Sequence, residues 1–235
     1  MKDVTARLLV DQRNFYDVDT LAPLAIGLGV GAVFANTQLD REIGEQVQDN
    51  LRNNATDSVA SAFKLFGDGH IMGPIYAVAF ASFLIPHEWE AVEPLELWGE
   101  RSFRAALAGA IPMLLLQKIT GADRPDMSEH GSRWIPWTEN HGVSGHSFMG
   151  AIPFLTAAKL TENRAAKFAF VTASLLPAWS RVNDNDHYFS QAALGWFMGY
   201  LAVEAVNDTE MEAGGWRVVP IPASHGEGIG IETRW

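Results

Sequence analysis

The chain has no cysteine, which excludes disulfides, thiol nucleophiles and zinc sites built on thiolate. Any chemistry therefore falls to His, Asp, Glu, Ser, Lys and Arg. Positive charge is scarce: 17 Lys and Arg stand against 28 Asp and Glu, for a formal net charge of -11. That balance supplies no basic footprint for a phosphate backbone and excludes nucleic acid as a partner class. The 235 residues contain no internal repeat, low-complexity tract or Ser/Gly-rich linker, which points to one main domain able to bury its own core. The opening MKDVTARLLVDQRNFYD lacks the apolar run of a signal-peptide core. The expectation is that the chain stays inside or has lost a leader.

What is present is a succession of apolar blocks, at residues 21–36, 71–86, 103–117, 147–160, 168–180 and 191–206. Each is too long for most strands and rich in Ala, Leu, Met, Phe and Gly, so the blocks predict helices and an all-α fold. A seventh helical stretch, 40–65, is polar on one face. The blocks sit at or just below the length needed to span a membrane, and six spans or six buried helices both fit them. With the N-terminus cytoplasmic, Lys2, Arg7, Arg13, Arg101, Arg104, Lys159, Arg164 and Lys167 fall inside, which favours the membrane arrangement. After Val206, NDTEMEAGG reads as a polar break before WRVVPIP and GIGIETRW. Those two pieces predict a hairpin or extended tail, so the expected division is a helical domain at 1–206 and a tail at 207–235.

Three short segments gather anion-binding residue types at helix ends. QKITGADRP, 117–125, ends a helix at Gly121 and turns out at Pro125, holding Arg124 at a rigid corner. Read alone, Arg124 is a cation complementing the helix dipole. VSGHS, 143–147, opens the next helix; the Ser144 hydroxyl, the free N–H groups and Gly145 form a ready oxyanion site, and His146 can donate a proton. Read alone, this is an N-cap beside an incidental histidine. In SRVNDNDHYFSQ, 180–191, a cap at Asn185 or Asp186 puts His187 in the first turn of a helix. Gln191 then lies one turn below, where its amide can accept from the ring. Taken together, Arg124, Arg181, His146, His187 and the Ser-Gly turn fall at the same ends of consecutive antiparallel helices. That is the constellation of a pocket for phosphate or a similar tetrahedral oxyanion.

The order Arg-Pro, then Ser-Gly-His, then Ser-Arg with a His six residues after the Arg resembles the type 2 phosphatidic acid phosphatase and vanadium haloperoxidase superfamily. Its pattern is KxxxxxxRP, PSGH and SRxxxxxHxxxD, at helix ends in a six-helix core. FGDGH at 66–70 is similar to a feature of bacterial members. The resemblance runs over roughly residues 20–206 and implies a six-helix bundle of that kind. It also implies roles: Arg124 and Arg181 clamp the phosphoryl oxygens, Ser144 and the Gly145 N–H complete the cradle, His187 is the nucleophile, and His146 protonates the leaving oxygen and later activates water. No metal or other cofactor is expected, although vanadate is able to occupy the phosphate site. The implied substrate is a phosphate monoester or a lipid phosphate or diphosphate. The implied setting is a bacterial membrane with the site facing the periplasm or exterior, or alternatively a soluble periplasmic protein.

Three positions depart from that pattern. The motif lysine is Gln117 here, with Lys118 one place along and about 100° round the helix; both are expected to bind substrate, Lys118 by reaching back along its long stem. Val143 replaces the proline before Ser-Gly-His. Gln191 replaces the aspartate behind the nucleophile; it can accept a hydrogen bond but supplies no charge, and the analogous amide swap in the serine-protease triad costs about 10⁴ in rate through the wrong tautomer. Three functions therefore compete: a phosphatase, a non-catalytic descendant that binds phosphate or a lipid head group, and a vanadate-dependent haloperoxidase, which the missing lysine disfavours. A metal hydrolase built on His141, His146, His187, Asp184 and Asp186 has none of the recognisable zinc spacings. The segment DMSEHGSRWIPWTENHGV, 126–143, is long for a helix connection and is expected to overhang the pocket.

Overall fold

The computed structural model describes residues 4–84, 92–127 and 130–213, and the backbone of 216–223 and 226–233. In chain order the helices are α1 (Val4–Phe15), α2 (Val18–Ala35), α3 (Leu39–Gln46) with a π turn at Val47–Leu51, α4 (Asn54–Phe63) with a 3-10 turn at Lys64–Gly67, and α5 (Gly69–Leu84). They continue as α6 (Glu93–Thr120), α7 (Gly145–Leu160), α8 (Arg164–Ser174), α9 (Leu176–Asn183) and α10 (Phe189–Ala213). An antiparallel hairpin follows, β1 (Trp216–Ala223) and β2 (Gly226–Thr233), with Val219 opposite Gly230. The fold class is all-α.

The centre is α7, which is apolar on every side and buries Phe148, Ala151, Ile152 and Leu155. A helix without a polar face must be enclosed, and α6, α8, α9 and α10 pack around it. Pro153 has no N–H to give the Met149 carbonyl one turn back, and the Tyr76 hydroxyl of α5 donates to that carbonyl at 3.4 Å. The outer helices α1 and α2 lie against α10. Of the helices in the described residues, α2 is the one long and apolar enough to cross a membrane, with 18 residues at a mean hydropathy of 1.8.

Two boundaries differ from the sequence pattern, each for a local reason. The block at 168–180 is two helices, because Leu175 closes one turn and Pro177, which has no N–H to donate, opens the next near the start of α9. The polar stretch NDTEMEA is not a break but the last turns of α10. It stays helical because its polar groups have partners across the bundle: Thr209 Oγ1 accepts from Asn14 at 3.1 Å, and Glu210 meets Arg7, Arg101 and Arg104. Arg104 is the hub of that cluster. It is fully buried, with a two-pronged contact to Asp11 at 2.7 Å and single bonds to Glu100 at 2.7 Å and Glu210 at 2.6 Å. It therefore ties α1, α6 and α10 together at one end of the bundle and is not a free cation of the inner surface. The opposite ends of α6 and α10 carry the motif residues.

Candidate active site

The end of α6 is fixed first. Gly121 caps it in the left-handed conformation at φ +57, and a Cβ there would lie 1.9 Å from the Ile135 carbonyl oxygen, so only glycine serves. The 126–143 connection folds back over this end through Trp137 N–H to Lys118 O, 2.9 Å, and His141 N–H to Ala122 O, 3.2 Å.

Three hydrogen bonds stitch the motif segments together. Gln117 Nε2 donates to Val143 O at 2.7 Å, Ser144 N–H to Gln191 O at 2.9 Å, and Gln191 Nε2 to Asp123 O at 2.6 Å. Gly195 lets α10 pass this close, since a Cβ would stand 2.2 Å from Ser144 O. Ser144 is buried and its Oγ accepts from Ser147 N–H at 3.2 Å as the N-cap of α7. Gly145 lies in the first turn beside Gln117. The 3-10 turn supports His146 from behind: a Cβ on Gly67 would be 2.5 Å from the His146 carbonyl oxygen. This gives part of FGDGH a structural reason.

His187 precedes α10 rather than lying in its first turn, and neither Asn185 nor Asp186 caps the helix. Asn185 takes the left-handed conformation at φ 61, and Asp186 instead forms an ion pair with Arg181. The start of α10 is held from α3 by the buried Asp40, whose carboxylate accepts from Ser190 N–H at 2.9 Å and Ser190 Oγ at 2.5 Å. Burial pushes the Asp40 carboxyl above its usual range against the pull of these bonds.

Gln191 decides the state of His187. Its Oε1 accepts from Tyr188 N–H at 3.1 Å and lies 2.9 Å from His187 Nδ1, while its Nε2 is engaged by Asp123 O. Flipping the amide would set its N–H against the Tyr188 N–H and its oxygen against Asp123 O, so Oε1 faces the ring and His187 carries its hydrogen on Nδ1. The lone pair is thereby on Nε2. The expected wrong-tautomer penalty does not apply to this arrangement; only the missing charge remains.

The electrostatics follow from burial beside two arginines. His187, 5% exposed, is pushed down to about 3 chiefly by burial, with Arg124, Arg181 and His141 adding to the shift and the Gln191 bond opposing it. His146 is lowered by burial and then by Arg181, with Asp68 and Asp186 pulling the other way. Arg181 is itself buried, and among the described residues its Nε has no hydrogen-bond partner.

The structure thus gathers Arg124, His146, Arg181, His187, Gln191, Gln117 and the Ser144-Gly145 turn. Lys118 is exposed, and among the described residues no bond ties its side chain to the group. His141, weighed from the sequence only as a metal ligand, joins this group: its Nδ1 accepts from Arg124 Nε at 3.2 Å, and its ring stands 6.4 Å from that of His187. Its place in the 126–143 connection, which was expected to lie over the pocket, was the one available signal.

A sequence model of the PAP2 superfamily matches residues 102–209, a segment that holds every one of these motif residues. Over these residues the chain is similar to that superfamily. No curated protein and no solved structure matches the chain. The matched segment begins within α6 and ends within α10, so Arg104 and the three motif segments fall inside it, while the Arg104 partners Asp11, Glu100 and Glu210 and the helices α1 to α5 lie outside. The match points to phosphatase-type chemistry and leaves the substrate to be argued from the site.

Proposed function

We propose that this chain is a phosphatase of the acid or lipid phosphate kind, cleaving a phosphate monoester or a lipid phosphate or diphosphate through a phosphohistidine on His187. The observation that carries the reading is the pinned tautomer: a buried, neutral imidazole with a free Nε2 lone pair, flanked by Arg124 and Arg181. Nε2 attacks phosphorus as the bond to the leaving oxygen breaks, and protonated His146 gives that oxygen its proton. Neutral His146 then takes a proton from water, which attacks phosphorus and breaks the P–N bond. The Nδ1–H donates to Gln191 Oε1 throughout.

The two histidines divide the work because their environments set them apart. His187 stays unprotonated above about 3, and His146 must be protonated, which below its ordinary 6.5 means acid. The rate kcat/KM therefore falls as pH rises past the His146 value, giving an acid optimum.

The apolar side chains exposed on α2 (Ile26, Val30), α5 (Ile75, Val78) and α6 (Ile111, Leu114) favour a membrane setting, with lipid against these faces and the cradle at the surface. The expected orientation is towards the periplasm or exterior. The test is phosphate release from aryl phosphate, lipid phosphates and lipid diphosphates by the wild type and His187→Ala across pH. Turnover that His187→Ala abolishes is the expected result. Vanadate binding without turnover on any substrate would instead make the chain a phosphate-binding descendant.

A further inference from the structure

The cradle lacks one group. In the resembled motif a lysine accompanies the first arginine, whereas here Gln117 gives its amide N–H to Val143 O and Lys118 is exposed. His141 lies beside two members of the group, Arg124 and His187. Gly142, the next residue, would put a Cβ 2.0 Å from Thr120 Oγ1, so glycine is what lets the loop press against the end of α6. The imidazole is thereby held against Arg124 and beside His187. Because Arg124 Nε–H donates at 3.2 Å, His141 Nδ1 is an acceptor, and a neutral imidazole then carries its hydrogen on Nε2. Among the described residues nothing accepts that N–H.

We propose that His141 is a phosphoryl-binding residue of this site, holding Arg124 through Nδ1 and donating Nε2–H to a phosphoryl oxygen. It replaces the motif lysine with a neutral donor brought in by the loop, and Arg124 is positioned by the same ring. This rests on the phosphatase reading of the site.

The experiment measures orthovanadate binding by calorimetry and aryl phosphate kinetics for the wild type, His141→Ala, His141→Asn, His141→Gln, Arg124→Ala and the double variant His141→Ala/Arg124→Ala. Losing a hydrogen bond to a charged group weakens vanadate binding about 10-fold or more in His141→Ala. His141→Gln, whose amide N–H reaches near the Nε2 position, recovers part of the loss in vanadate binding, and His141→Asn, which restores an acceptor near the Nδ1 position, recovers part of the loss in KM. His141→Ala costs markedly less in the Arg124→Ala background, because the two side chains act as a unit. Wild-type vanadate affinity in His141→Ala overturns the proposal while leaving the phosphatase reading intact. Equal losses in all three His141 variants, additive with Arg124→Ala, also overturn it and reduce His141 to loop packing. If Arg124→Ala too binds vanadate like the wild type, the phosphate site itself is misplaced and both readings fall.

Discussion

Replacing Gln191 with alanine separates the geometry of the nucleophile from its charge. The side chain is fully buried and makes three bonds, to His187 Nδ1, Tyr188 N–H and Asp123 O. Truncation leaves the last two unsatisfied, and at about 1–3 kcal/mol for each buried group the fold loses about 2–6 kcal/mol. The kinetic effect has a different origin: without Oε1 to accept from Nδ1, His187 is free to carry its hydrogen on Nε2, where it blocks the attacking lone pair. A drop in kcat of about 10²–10⁴ is expected, by analogy with the triad whose amide presents the wrong group. Gln191→Glu is the matched control. Its second carboxyl oxygen meets the Asp123 carbonyl at the place now held by Nε2, so the carboxyl keeps its proton there, donates it, and preserves the His187 contact. Initial rates on aryl phosphate, with denaturant unfolding on the same samples, give both numbers. A folded Gln191→Ala that keeps kcat within about threefold of wild type, while His187→Ala is dead, would refute tautomer pinning.

Three other outcomes follow from the same structure. Since the folded pKa of His187 is depressed to about 3 from 6.5, the unfolded chain binds one more proton between those values. Stability therefore falls on acidification through that window, by up to about 1.4 kcal/mol per pH unit, and is unaffected above it; His187→Phe should flatten the slope of unfolding free energy between pH about 4 and 6. Arg104→Met strands the buried carboxylates of Asp11 and Glu100 and should cost about 3–5 kcal/mol in chemical denaturation, partly recovered when Asp11→Leu is added; no loss would show that the cluster is water-relaxed. Gly67→Ala drives a Cβ to 2.5 Å from the His146 backbone and should lower kcat by more than its effect on melting predicts, measured on one preparation by kinetics and thermal unfolding.

The helices were legible wherever apolar periodicity set them. They were misread where partners distant in the chain overrode composition: the polar end of α10 is helical because Glu210 reaches Arg7 and Arg104. The site residues of the three motifs were visible as residue types at helix ends. The state of His187 was not, because it depends on an amide fixed by the backbone of Asp123, 68 residues away in sequence. His141 was similarly hidden, since only the return of the loop onto Ala122 brings it to Arg124. The start of α10 was misplaced because its cap is Asp40, from another helix, and not a neighbour in sequence.

The Arg104 hub has a meaning for assembly order as well as for strength. Apolar helices faced with Ala, Leu and Met can trade one packing for another a turn along, about 5.4 Å away, at little cost. A guanidinium that must meet three carboxylates has no such second position. Locking α1, α6 and α10 in axial register at one end dictates what faces what at the other, about 20 Å along α6 from Arg104 to Gln117. There Asp123 O must find Gln191 to within a hydrogen bond. The hub thus works as an alignment pin, and a site assembled from separate helix ends inherits its tolerance from charges at the far end of the bundle.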